Sequence, residues 1–231
     1  MRATEGADLT IATLIAADRL DERLLSAAIT RVAGARLARW IEAGSAADLE
    51  ADVDRTSFRT AFEGWEGVDI IVHPPGPREK KLLVADMDST MIGQECIDEL
   101  ADYAGIKPHI AAITERAMLG QLDFADALRE RVALLSGLEE SVIATCLAER
   151  VRPNPGAETL VRTMRGRGAM TLLVSGGFTA FAGPVAQQLG FERIEANLLE
   201  VKDGKLSGMV SGRIVDAAIK RQALDRVRAE L

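Results

Sequence analysis

Leu82-Leu83-Val84-Ala85 runs without alternation into Asp86-Met87-Asp88-Ser89-Thr90, and this junction constrains the fold more than any other stretch. A short, unbroken apolar run bounded by polar residues is the signature of a parallel strand covered on both faces. It predicts an α/β domain. In extended backbone the side chains at i and i+2 point the same way, so Asp86 and Asp88 can face one ligand together. Ligands of open α/β sheets bind beyond the carboxyl ends of the strands. Two acids there, with the hydroxyls of Ser89 and Thr90, suit phosphate chemistry assisted by a divalent cation.

The chain carries a control for this argument. Asp52-Val53-Asp54-Arg55-Thr56 has the same Asp-x-Asp-x-Thr pattern, but Asp48-Leu49-Glu50-Ala51 precedes it and no apolar strand feeds it. That copy reads as a solvated segment. Context, not the pattern, separates the two.

The 231 residues carry a net charge of −7, which argues against nucleic acid as a partner because phosphate backbones attract basic surfaces. A small anionic substrate needs only local positive charge. Cys96 and Cys146 are too few for a disulfide framework and match no metal-binding spacing, so buried thiols in a reducing cytoplasm are expected. Residues 1–20 have no long apolar core flanked by basic residues, so no signal peptide is expected. No apolar run approaches the roughly 20 residues needed to span a bilayer, so no membrane partner is expected.

Residues 8–73 read as a small α+β domain. Leu9–Ala16, Leu37–Ile41, Ala46–Val53 and Val68–Val72 are predicted strands, with helices over Leu20–Val32 and Ser57–Trp65. The order βαββαβ is the split-βαβ, ferredoxin-like pattern. No cluster in it suggests catalysis. Pro74-Pro75-Gly76-Pro77 then forms a linker, since neither helix nor strand continues through it. Beyond the Asp86 strand, residues from about Cys96 to Glu149 read as helices broken near Gly105, Gly120 and Gly137. A helix over Gly156–Arg165 precedes a second buried strand, Met170–Val174, which is expected to end in Ser175-Gly176-Gly177-Phe178. A helix to Leu189, a strand near Ile194–Leu199, a hairpin turning at Asp203-Gly204 and a last helix carrying Lys220 complete the chain.

Three features therefore stand in one order: Asp-x-Asp-Ser-Thr after a strand, Ser-Gly-Gly after a second strand, and a lysine on a later helix. Together they resemble the haloacid dehalogenase superfamily. The resemblance is closer to its phosphoserine phosphatase family, through Gly93-Gln94-Glu95-Cys96-Ile97-Asp98-Glu99-Leu100, Ala112-Ile113-Thr114, Ala117-Met118, Leu128-Arg129-Glu130-Arg131-Val132 and Val174-Ser175-Gly176-Gly177-Phe178. It covers roughly residues 80–231 and implies a Rossmann-like domain over 77–231 with a helical cap at about 93–152. Residues 1–76 resemble the ACT-like extension of some members, which implies a homodimer formed through that domain.

The resemblance also implies roles. Asp86 is the nucleophile, forming an aspartyl-phosphate, and Asp88 protonates the leaving hydroxyl and then deprotonates water. Asp88 must start protonated, which the neighbouring Asp86 charge would favour. Mg²⁺ is held by Asp86 and by the Asp88 carbonyl. Ser175 and the Gly176 N–H hold phosphoryl oxygens, and Lys220 neutralises their charge. Glu95 pairs with the substrate ammonium and Arg131 with its carboxylate. The implied substrate is O-phospho-L-serine, hydrolysed to L-serine and phosphate in the last step of serine biosynthesis.

Bland readings compete for several of these residues. Lys220 lies beside Arg221 on a charged helix, and Glu95 and Arg131 also lie in charge-rich helices. His73 and His109 lack partner spacing and read as structural, and Met87 and Met118 read as packing residues. The family has a fourth motif, Gly-Asp-Gly-x-Asn-Asp, after the lysine helix, and the sequence reaches Leu231 without it. The expectation is weak Mg²⁺ binding, little turnover and an open edge on the Asp86 strand. Two alternatives remain: a phosphatase for another small phosphomonoester, and a non-catalytic module that binds amino acids or self-associates.

Overall fold

The computed structural model describes residues 9–231. They form two compact units that divide between Arg78 and Glu79.

The first unit runs β1 (Leu9–Leu20), α1 (Glu22–Arg31), β2 (Arg36–Glu42), β3 (Gly44–Asp52), α2 (Arg55–Thr60) and β4 (Asp69–His73). Its sheet has the order β2-β3-β1-β4 with every pair antiparallel. Alternate β1 residues Ala12, Leu14 and Ala16 bury against Leu25 and Ala28 of α1 and Phe58 of α2. The helix α2 is shorter than the sequence predicts. Past Thr60 the chain turns, with Gly64 in the left-handed region, and the Phe62 ring stacks on Phe58 at 5.9 Å and on Trp65 at 5.3 Å.

Thr13 points to the other face of the sheet, yet it is buried, as is Asp48 opposite it. The Thr13 hydroxyl donates to Asp48 Oδ1 at 2.7 Å, while Arg39 and Arg78 donate to Oδ2 at 2.9 and 2.5 Å. Burial works against the ionised carboxylate, but these three donors outweigh it and hold Asp48 below the usual carboxylate range. Arg78, just past the proline linker, is thereby tied back to the sheet that precedes it.

The second unit begins with β5 (Leu82–Ala85), followed by α3 (Cys96–Tyr103), α4 (Lys107–Met118), α5 (Phe124–Ala133), α6 (Ser141–Glu149) and α7 (Ala157–Gly166). Then come β6 (Met170–Phe178), α8 (Thr179–Leu189), β7 (Arg193–Lys202), β8 (Lys205–Ser211) and α9 (Ala217–Ala229). The sheet order is β5-β6-β7-β8, with β5, β6 and β7 parallel, β8 antiparallel and β5 at one edge. Gly105 and Gly120, at φ +69° and +72°, follow α3 and α4 in a conformation that L side chains rarely adopt. Asp203 and Gly204 both have positive φ, 51° and 75°, as a type I′ hairpin turn requires.

β6 is covered on both faces, which explains its unbroken apolar sequence. Leu173 and Phe178 join the cluster formed with Leu100, Leu128 and Phe181, while Leu172 and Val174 pack against Ile219, Ala223 and Val227 of α9. Each such side chain contributes about 1.5–3 kcal/mol on burial. That packing is what fixes α9, and Lys220 with it, beside the sheet. Among the described residues no helix is long and apolar enough to cross a membrane.

Candidate active site

β5 pairs with β6 in parallel register, Ala85 opposite Leu173, so both strands deliver their carboxyl ends to the same edge of the sheet. Past Ala85 the chain turns sharply. The Met87 carbonyl accepts from the N–H groups of Thr90, Met91 and Ile92 at 3.3, 2.9 and 3.1 Å. The Met87 side chain is fully buried and anchors this turn between the two acids.

Ser175-Gly176-Gly177, expected at the tip of the second buried strand, lies within β6, which runs on to Phe178. The β6–β7 register shifts between Val174 and Phe178, and such an irregularity re-aims the residues it contains. Ser175 is buried, and its hydroxyl accepts from Gly177 N–H at 2.9 Å. A Cβ on Gly177 would come within 3.1 Å of both Asp88 Oδ2 and Ser175 Oγ. One on Gly176 would lie 2.8 Å from the Phe124 ring. Both glycines thus let neighbouring groups approach closely.

Asp86, Asp88, Glu95, Arg131, Ser175, Gly176 and Lys220 line a single pocket, together with Phe124, Leu128, Gly177 and Phe178. Asp216 caps α9 by accepting from Ile219 N–H at 2.9 Å, and one turn into the helix Lys220 Nζ donates to Asp86 Oδ2 at 2.5 Å. Asp86 Oδ1 accepts from Met87 N–H at 2.8 Å. Arg131 donates Nε to the Ala127 carbonyl at 3.2 Å. Burial draws its guanidinium below the ordinary value, opposed by the charges of Asp98 and Glu95. It remains a cation, because arginine is not deprotonated in proteins.

Burial pushes the Asp88 carboxyl up to about 6, hydrogen bonding from Cys96 opposes the shift, and the negative charges of Glu95 and Asp86 add to it. The Asp86 charge favours the protonated form, as expected, but burial leads and Asp86 is the weakest of these influences. Asp88 Oδ1 is buried without a hydrogen-bond partner, while Oδ2 accepts from Cys96 N–H at 3.4 Å. Burial also pushes the Cys146 thiol up to about 11 and the Cys96 thiol far above its usual value, so neither is a thiolate nucleophile near neutrality.

The donor set suits a hard cation. Among the described residues no three His, Cys, Asp or Glu side chains are grouped so as to hold a metal ion, and Asp86 and Asp88 are the two acids at the strand end. Mg²⁺ is commonly held by one or two carboxylates, with waters and substrate phosphate filling the other positions. The unpartnered, buried Asp88 oxygen marks a place where a proton or a cation would be welcome.

Some participants carry little signal in the sequence. Asn197, buried in β7, donates to the Gly176 carbonyl at 2.8 Å and accepts from Val215 N–H at 2.8 Å, bracing the Ser-Gly-Gly segment against the approach to α9. Its apolar neighbours Ala196, Leu198 and Leu199 were its only sequence clue. Phe124 lines the pocket from the first turn of α5. Met118, read as a packing residue, is instead 84% exposed.

This arrangement of acids, serine and lysine around parallel strand ends coincides with a family match over residues 83–231. The chain belongs to the haloacid dehalogenase-like hydrolase family. Within it, curated relatives carry the name phosphoserine phosphatase. One from Streptomyces coelicolor is 46% identical over 183 residues, 78% of this chain and 44% of that protein. Another from Archaeoglobus fulgidus is 40% identical over 163 residues, 70% of this chain and 47% of its own length. The chain thus spans a little under half the length of these two relatives. Among solved structures, a HAD family hydrolase from Salmonella enterica serovar Typhi matches 96% of this chain and 79% of its own, with TM-score 0.82 and 26% identity. A substrate-bound phosphoserine phosphatase matches 66% of this chain and 72% of its own, with TM-score 0.61 and 36% identity.

Proposed function

We propose that the second unit is a Mg²⁺-dependent phosphatase that hydrolyses O-phospho-L-serine to L-serine and phosphate. The convergence of Asp86, Asp88, Ser175 and Lys220 with Glu95 and Arg131 in one pocket carries this reading. The first four suit phosphoryl transfer. The last two offer an anion for an ammonium and a planar cation for a carboxylate, which together match an amino acid.

In this mechanism Arg131 grips the substrate carboxylate, Glu95 its ammonium, and Ser175 with the Gly176 N–H the phosphoryl oxygens. The Asp86 carboxylate attacks phosphorus, and the bond to the serine oxygen breaks as Asp88 delivers its proton to that oxygen. Burial raises the Asp88 carboxyl to about 6, which brings its protonated, acid form within reach near neutral pH. A water then gives its proton to Asp88 and attacks the aspartyl-phosphate, releasing phosphate and restoring Asp86. Lys220, already within hydrogen-bond reach of Asp86, neutralises charge gathered on the phosphoryl group. The Asp86 carboxylate and the Asp88 main-chain carbonyl would hold Mg²⁺, which would supply further charge stabilisation to those oxygens.

The helices α3–α6 act as the cap that excludes water over the pocket, a role supported by the pocket contacts of Phe124, Leu128 and Arg131. The first unit is an ACT-like module, supported by its strand order, and it mediates self-association. The two buried thiols favour the reducing cytoplasm.

The test is phosphate release from O-phospho-L-serine and from 3-phosphooxypropionate, the same molecule without its amino group, both with Mg²⁺. Release confined to phosphoserine supports the reading. Equal release from both would transfer the activity to a broader class of phosphomonoester, and release from neither would reject it.

A further inference from the structure

We propose that Ser89 is a positioning residue that sets the orientation of Glu95 for the substrate ammonium, so that amino-acid selectivity depends on a hydroxyl that need not touch the substrate. The inference rests on the reading of Glu95 as the ammonium's partner.

Three observations carry it. First, Ser89 has φ +50°, one of three non-glycine residues with positive φ among those described. Asp203 is explained by the type I′ turn, but Ser89 lies in no hairpin. Its conformation is of the kind that persists only where surrounding structure enforces it and that gathers at functional sites. Second, that bend closes the loop on itself. Ser89 N–H donates to the Gln94 carbonyl at 3.1 Å, and its hydroxyl donates to Glu95 Oε1 at 2.6 Å. Gln94 is held in turn, its side-chain oxygen accepting from Arg152 N–H at 2.9 Å. Third, Glu95 stands at the N-cap of α3 but makes no side-chain capping bond. Glutamate is not among the residues that ordinarily cap a helix from that position, so its carboxylate is not committed to the first-turn N–H groups. Here the carboxylate is drawn instead to Ser89, at the mouth of the pocket it lines.

The chemistry follows from these contacts. Glu95 is exposed, and a free glutamate on a surface samples several rotamers. A hydroxyl donated to Oε1 removes part of that freedom before the substrate arrives and leaves Oε2 for the ammonium. Preorganisation of this kind raises affinity for the group that uses it and for no other.

The experiment is a calorimetric titration of the full chain, with Mg²⁺ withheld so that no ligand is turned over, by O-phospho-L-serine, 3-phosphooxypropionate and inorganic phosphate. It compares the parent with Ser89→Ala and Ser89→Gly. Glycine removes the hydroxyl while relieving the left-handed backbone, so a fold defect in the alanine variant cannot imitate the result. Both variants should lose about tenfold of the parent's preference for phosphoserine over its amine-free analogue, the scale of one hydrogen bond to a charged group. Their affinity for inorganic phosphate should stay within about twofold, which a merely structural role for Ser89 would not allow. A preference that survives in Ser89→Gly overturns the proposal, as does an equal loss for all three ligands. A parent with no preference for phosphoserine overturns the reading of Glu95 itself, and the role of Ser89 with it.

Discussion

The chain holds the pattern Asp-x-Asp-x-Thr twice, and the two copies do different things. At residues 52–56 the first acid ends β3, and the second, Asp54, caps α2, accepting from Ser57 N–H at 2.9 Å and from its hydroxyl at 2.5 Å. Those bonds hold the fully exposed Asp54 below the usual carboxylate range. At residues 86–90 the pattern follows a buried strand. There the second acid, Asp88, is pushed up to about 6 by burial, while the first is tied to Lys220 from a helix 134 residues away in sequence. The same letters yield a helix cap in water and two acids lining a pocket. Fold position, and the dielectric it creates, decides which.

The sharpest way to break this contrast is to remove one acid from each copy. Asp86→Asn should lower phosphate release from phosphoserine about a thousandfold or more, because no nucleophile remains, whereas Asp52→Asn should leave it within about twofold. Comparable losses in steady-state assays would mean that the pattern, not its place, carries the effect. Lys220→Ala comes next, with an expected loss of about a hundredfold as charge on the phosphoryl oxygens goes unneutralised. If the same assay finds the variant near parental activity, Lys220 serves only to hold Asp86 in the resting site.

The burial of Asp88 makes a smaller prediction about stability in metal-free protein. Its folded value lies above the unfolded 3.8, so the folded state binds the extra proton between about 4 and 6, and stability falls as pH rises through that window. Asp88→Asn should therefore match the parent near pH 4 and gain up to roughly 3 kcal/mol above pH 6, read from urea unfolding at several pH values. A constant difference across pH would mean that Asp88 is not buried against its charge. Smallest of all, Asp54→Ala should lower the melting temperature by a few degrees through the lost cap and leave turnover unchanged, by calorimetry and the same phosphate assay.

Much of the second unit was legible because burial on both faces writes itself into the strand. The apolar runs at Leu82–Ala85 and Met170–Val174 could hardly be anything but parallel strands, and the Asp203-Gly204 pair required a tight hairpin. The helices between them followed from their glycine breaks. What escaped depends on distance in space. Nothing near Asn197 announces that its amide bridges Gly176 and Val215. No spacing rule ties Arg78 to Asp48 across 30 residues, or makes Ser89 rather than a helix N–H the partner of Glu95. The Ser-Gly-Gly segment was legible as a strand tip, but only strand pairing shows the register shift inside β6 that it occupies. The Asp86 contribution to the Asp88 shift was legible and the larger contribution of burial was not, because the spacing of charges is visible in a sequence and burial is not.

The central claim is that Asp86 becomes phosphorylated. Its most direct test is acid quenching of the chain during reaction with radiolabelled phosphoserine and Mg²⁺, followed by peptide mapping. Label on the peptide that contains Asp86, absent from the Asp86→Asn variant, is the predicted result. Phosphate released with no label on that peptide, or label carried by Ser175 instead, would contradict it.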